Sequence, residues 1–169
     1  MRLFTFVILL VLVSCQNRDQ KKEEGAAALV DENLQFQEKT LRWKKINVAS
    51  VVGDSIDLSK RLLLVYSGYD CGSCVNAAFY LVKKVDSLAK SNHSVIVEIQ
   101  SDKGRDQLRY KYQQYIYSDN DDLIRKQLKF IKTPAILSFD ESGKIDEVYF
   151  PQDVQSINES LIQKFAPPN

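Results

Sequence analysis

Residues 62–74 read LLLVYSGYDCGSC, and this stretch decides how the rest of the chain is read. Five apolar residues in succession, Leu62 to Tyr66, have the pattern of a strand covered on both faces. Ser67-Gly68-Tyr69-Asp70 interrupts the run, and Cys71-Gly72-Ser73-Cys74 opens a helical pattern. Along it Val75, Ala78, Phe79, Val82, Val85 and Leu88 recur at three- and four-residue steps. Residues three apart on a helix share a face, so the two sulfurs can reach bonding distance. The unpaired N–H groups and positive dipole end of the helix favour a thiolate at Cys71. Cys71 is therefore the candidate nucleophile, and Cys74, set further in, the candidate resolving thiol.

Downstream, 95–99 reads as another buried strand, 102–112 as a helix and 115–117 as a short strand. Residues 119–130 open with capping residues and continue with helical spacing. Ala135 to Phe139 is a strand, Asp140-Glu141-Ser142-Gly143 a turn, and 145–150 its antiparallel partner. Val154, Ile157, Leu161 and Phe165 line one face of a closing helix. Upstream, Gly53-Asp54 divides two short apolar runs, 46–52 and 56–58, as in a hairpin. Residues 26–41 have helix-forming content. Alternating strands and helices predict an α/β domain, a central mixed β-sheet flanked by helices on both faces.

The chain has 169 residues, 44% hydrophobic and 27% charged, enough for one core. With 23 basic and 22 acidic side chains it has no charge excess to draw nucleic acid. Three cysteines and the single His93 are too few for a zinc site once Cys15 is otherwise engaged, so no metal is expected. A purely structural disulfide between Cys71 and Cys74 would close a very short loop, where stabilisation is small. Asp119-Asn120-Asp121-Asp122 lacks the glycine and distal glutamate of a calcium loop and reads as helix capping. Tyr110, Tyr112, Tyr115 and Tyr117 read as a partly exposed edge element, or else as a partner-binding surface. His93 falls in a turn.

The first residues read as an address. Arg2 precedes an apolar run, Leu3 to Val13, that is too short to span a bilayer, which takes about 20 residues. Leu12-Val13-Ser14-Cys15 resembles the bacterial lipobox. That resemblance implies a signal peptide over 1–14, cleavage before Cys15 and lipidation of Cys15, hence a membrane anchor. Residues 16–25, QNRDQKKEEG, hold nothing to bury and read as a polar tether. The expected organisation is a signal peptide at 1–14, lipidated cysteine, tether and lead-in helix at 15–42, and the domain at 43–169. Gln16 after the cysteine, by resemblance to enterobacterial sorting, implies the outer membrane rather than the inner.

The motif LLLVYSGYDCGSC, with Thr133-Pro134-Ala135 at the start of a later strand, resembles the thioredoxin superfamily. The extra helix and strand before Thr133, and the segment around Gly53, are similar to its membrane-tethered TlpA/ResA-like group. The resemblance covers roughly 43–165 and implies a three-layer thioredoxin-like fold and thiol–disulfide oxidoreductase activity on extracytoplasmic protein thiols or disulfides, served by a further redox partner and no cofactor. It implies a cis bond at Thr133–Pro134, with Thr133 offering its backbone to substrate and Pro134 shielding the thiols. Read alone, Pro134 would more often simply open an edge strand. The sequence departs from the family where Asp70 stands in place of the usual tryptophan and Ser73 in place of a frequent proline. Leu62 to Tyr66 carries no acid. Glu98 is a candidate proton relay near Cys74, or else faces solvent. A carboxylate at Asp70 opposes a thiolate at Cys71, which leaves a redox-silent binding module as the alternative. A peroxidase is the weaker third reading, since no threonine stands three residues before Cys71.

Overall fold

The structure is a computed structural model that describes residues 32–53, 56–59, 61–89, 94–99, 103–152 and 162–163. The expected signal peptide, Cys15 and the expected tether lie outside the described residues, as do His93 and most of the expected closing helix. The chain divides into two units, Met1–Gln37 and Glu38–Asn169. Of the first, residues 32–37 are described and are helical, the start of α1 (32–41).

The second unit is built on a five-stranded sheet in the order β3-β2-β1-β4-β5. The strands are β1 (Leu62–Ser67), β2 (Ser94–Ile99), β3 (Ile116–Asp119), β4 (Ala135–Phe139) and β5 (Ile145–Tyr149). β2 runs parallel to β1 and to β3, whereas β4 runs antiparallel to β1 and to β5. The helices after α1 are α2 (Ala49–Val52), α3 (Gly72–Ala89), α4 (Lys103–Tyr110) and α5 (Leu123–Gln127). This is the three-layer, mixed-sheet α/β arrangement read from the alternation of elements.

β1 is apolar from Leu62 to Tyr66 because both of its faces are covered. Leu62, Leu64 and Tyr66 pack with Val75, Phe79, Val82 and Val85 of α3 and with Ile96. Leu63 and Val65 pack on the opposite face with Leu41, Val48, Val52, Ile124 and Leu128. Each such side chain contributes about 1.5–3 kcal/mol by leaving water. Cα partners Val65 and Ala135 fix β4 beside β1, so Thr133 and Pro134 enter at the end of the sheet where Cys71 leaves it. β4 is an interior strand, which removes the edge-strand reading of Pro134.

Three expectations need correction. The hairpin around Gly53 is instead the short helix α2. Val48 and Val52, one turn apart, are both buried, and the Asn47 side chain accepts the Ala49 N–H at 2.9 Å. The Gln127 side chain satisfies both backbone groups of Asn47, at 2.8 and 2.7 Å, so that residue needs no partner strand. The helix expected over 119–130 is only α5. Asp119 ends β3, and Lys129 and Phe130 adopt φ of 56° and 54°, which unwinds the far end. The tyrosines split into two pairs. Tyr110 and Tyr112 are core residues around Phe79, with the Tyr110 ring stacked on it at 4.2 Å. Tyr115 precedes the edge strand β3 and Tyr117 lies within it, and their rings meet edge to face at 4.7 Å.

Candidate active site

The site forms where β1 hands over to α3. The Asp70 N–H donates to the Ser67 carbonyl at 3.0 Å, and the Ser67 N–H donates to Asp70 Oδ2 at 2.8 Å. This closed turn sets Cys71 at the N-cap of α3, where its carbonyl accepts the first helical bond, from the Val75 N–H at 3.0 Å. The Cys71 sulfur takes the place of a capping oxygen. It accepts the Cys74 N–H at 3.4 Å, and Ser73 Oγ lies 3.0 Å from it. These groups and the helix dipole act in the direction that favours a thiolate.

Cys71 and Cys74 are joined in a disulfide with their Cα atoms 5.2 Å apart. Cys71 is exposed and Cys74 half-buried, so an incoming group meets Cys71 first. The Thr133–Pro134 peptide bond is cis, and Pro134 is buried. The Thr133 hydroxyl donates to Asp70 Oδ1 at 2.8 Å. Asp70 thus joins the cysteine turn to the segment that enters β4. Burial pushes its carboxyl above the usual carboxylate range, partly offset by the Ser67 and Thr133 hydrogen bonds and by the charges of Arg125 and Lys132.

Glu98 does not face solvent: it is 2% exposed, on the α3 side of the sheet opposite Tyr66. A side chain at Gly68 would come within 3.9 Å of Glu98 Oε1, so this carboxyl lies beneath the turn that leads to Cys71. The Tyr66 hydroxyl donates to Asp106 Oδ2 at 3.2 Å and also interacts with Glu98. Burial, followed by these two carboxyls, drives the Tyr66 hydroxyl well above its ordinary titration range. The arrangement supplies a buried acid under the site, although β1 itself holds none.

Two parts of this site escaped the reading of the sequence. Asp106 lies in KGRDQLRY, a helix without an apolar stripe, and nothing there marks it as buried. The Asp70–Thr133 bond spans 63 positions, beyond any local pattern. Among the described residues no group of three or more His, Cys, Asp or Glu side chains could hold a metal, and no helix is long and apolar enough to cross a membrane.

No family model and no curated protein matches the chain. Solved structures do. A thiol-disulfide isomerase from Corynebacterium glutamicum is similar with a TM-score of 0.50 and 14% identity, covering 78% of this chain and 99% of that one. MTB DsbF, in mixed oxidised and reduced forms, gives 0.50 at 17% identity over 67% and 83% of the two chains. A cysteine-to-serine mutant of PrxQ from Xylella fastidiosa gives 0.50 at 11% identity over 73% and 93%. Together with the sheet order and the placement of CxxC at the head of α3, these define a thioredoxin-like α/β fold. Within that fold, the Cys71–Cys74 disulfide fits a CxxC redox pair.

Proposed function

We propose that the chain is a thiol–disulfide oxidoreductase of the bacterial cell envelope, anchored by lipid at Cys15 and acting on extracytoplasmic proteins. The observation that carries this is the Cys71–Cys74 pair at the start of α3, its outer sulfur exposed. In the reducing direction the Cys71 thiolate attacks one sulfur of a substrate disulfide. That S–S bond breaks, a mixed disulfide forms, and the released substrate sulfur takes a proton. The Cys74 thiolate then attacks Cys71, releases the second substrate thiol and leaves the Cys71–Cys74 disulfide. Two electrons have passed to the substrate. Thr133 offers its backbone to an extended substrate segment, Pro134 shields the thiols, and Glu98 takes up or supplies the proton of Cys74.

The test is redox titration of the full chain carrying Cys15→Ser, equilibrated in glutathione or dithiothreitol buffers and trapped by alkylation. A reversible two-electron transition, absent in Cys71→Ser, is expected. Asp70 favours a second reading, a redox-silent binding module of the envelope, because its carboxylate opposes a thiolate next to it. Thiols that neither pair nor exchange would establish that reading instead. For the anchor, Cys15→Ala should move the protein from the membrane to the soluble fraction, and Gln16 supports recovery of the native chain with the outer membrane.

A further inference from the structure

We propose that Asp70 biases the Cys71–Cys74 pair toward its disulfide, so that the reduced protein is a donor of electrons, and that the same carboxylate straps the Thr133–Pro134 segment to the cysteine turn. This deepens the oxidoreductase reading and rests on it.

The argument begins with how firmly the charge is held. Asp70 Oδ2 accepts the Ser67 N–H and Oδ1 accepts the Thr133 hydroxyl, both at 2.8 Å, so neither oxygen is at liberty to swing away. Asp70 directly precedes Cys71, which places the two Cα atoms about 3.8 Å apart. The side chain is half-buried, where solvent and salt screen a charge less than at the open surface. A negative group fixed in this way disfavours a second negative charge on the neighbouring sulfur.

The surrounding groups do not cancel it. Arg125 of α5 acts on Asp70 but is engaged by Asp122 through contacts of 2.8 to 3.2 Å. Lys132, on the segment before β4, acts on Asp70 from an exposed position. From β2 the Glu98 carboxyl, beneath Gly68, brings a further acid to the same turn. Opposing these are the Cys74 N–H, the Ser73 hydroxyl and the head of α3.

Pairs whose reduced form is stabilised are strong oxidants, and pairs that lack this stabilisation are reducing. Asp70 moves this pair the second way. The two thiols give two electrons to a substrate disulfide, two protons end on the substrate sulfurs, and a dithiol reductant of the envelope restores the pair.

Asp70→Asn separates charge from strap. Its amide oxygen can accept the Ser67 N–H and its NH₂ can donate to Thr133 Oγ1, while the charge is gone. Thr133→Val does the reverse. The full chain carrying Cys15→Ser is reduced, and the rate of Cys71 alkylation is followed against pH. The disulfide fraction in dithiothreitol buffers is measured at about pH 9, where thiolate is populated. Asp70→Asn should lower the alkylation midpoint by about one pH unit and favour the reduced pair several-fold. Thr133→Val should leave the midpoint in place and slow exchange with a protein disulfide more than with glutathione disulfide. Asp70→Ser, a second charge-free variant, should shift the midpoint as Asp70→Asn does. Wild-type midpoints in both charge-free variants, with exchange still reversible, would overturn the proposal. Absence of reversible exchange in the wild-type chain would instead sink the oxidoreductase reading beneath it.

Discussion

The two faces of the sheet each bury acid, and they do so in opposite ways. On the face covered by α2 and α5, Asp119 is 2% exposed, and its two oxygens accept the N–H groups of Leu123 and Ile124, each at 2.8 Å. Both partners are within five residues, and the arrangement caps a helix. On the face covered by α3, Glu98 and Asp106 meet at the hydroxyl of Tyr66, three groups from three different elements. A carboxylate held by adjacent backbone amides keeps its charge satisfied locally. A carboxyl that meets a phenol from another element depends instead on tertiary placement for its partner. Of these two, it is the cluster around Tyr66 whose Glu98 lies beneath the turn that leads to Cys71, where Asp70 is held as well.

The largest expected effect comes from the packing on the α3 face. Phe79 touches Tyr66, Tyr110 and Tyr112, and Phe79→Ala should cost about 3–5 kcal/mol in urea unfolding. A loss below about 1 kcal/mol would mean that the aromatic group does not organise this side. Next, Tyr66→Phe leaves Asp106 without the phenol and should cost about 1–3 kcal/mol at neutral pH. Asp119→Ala removes the cap of α5 and should cost about 0.5–2 kcal/mol without altering thiol exchange. If it altered exchange instead, the separation of the two faces would fail.

A pH series sharpens the same contrast. Tyr66 and Tyr112 are both held above the ordinary tyrosine value of about 10, chiefly by burial. The folded chain keeps these protons where the unfolded chain has lost them. Their contribution is therefore intact below about pH 10 and is lost as the pH rises beyond it, at about 1.4 kcal/mol per pH unit for each group. Tyr66→Phe should remove one of the two, giving a shallower decline by urea unfolding between about pH 10 and 11.5. An unchanged slope would show that Tyr66 gives up its proton freely. The smallest effect is expected at Leu108, which is 82% exposed on α4, where Leu108→Gln should stay within about 0.5 kcal/mol of wild type.

The contrast also marks what could be read from residues alone. β1 and β4 were legible because burial on both faces leaves nearly continuous apolar runs, and of the acids at 119–122 the capping role holds for Asp119, legible because it is local. α2 was misread because four residues of helix carry no full period, and its Asn47 is satisfied by Gln127 from 80 positions away. Tyr110 and Tyr112 looked like surface residues because their polar neighbours in sequence hide the fact that they pack on Phe79. The cysteine pair was evident from its spacing. The Asp70–Thr133 bond and the Tyr66–Asp106 contact depend on tertiary placement and left no trace in the order of residues.

The pairing of Val65 with Ala135 has a consequence for how such a chain can change over time. Everything between β2 and β4, including α4, β3 and α5, leaves the central strands and returns to them without setting where Pro134 arrives. That is decided by the rungs joining β1 to β4. Residues could be gained or lost across this excursion, and a recognition surface grafted there, while the distance between the reactive sulfur and the proline stayed constant.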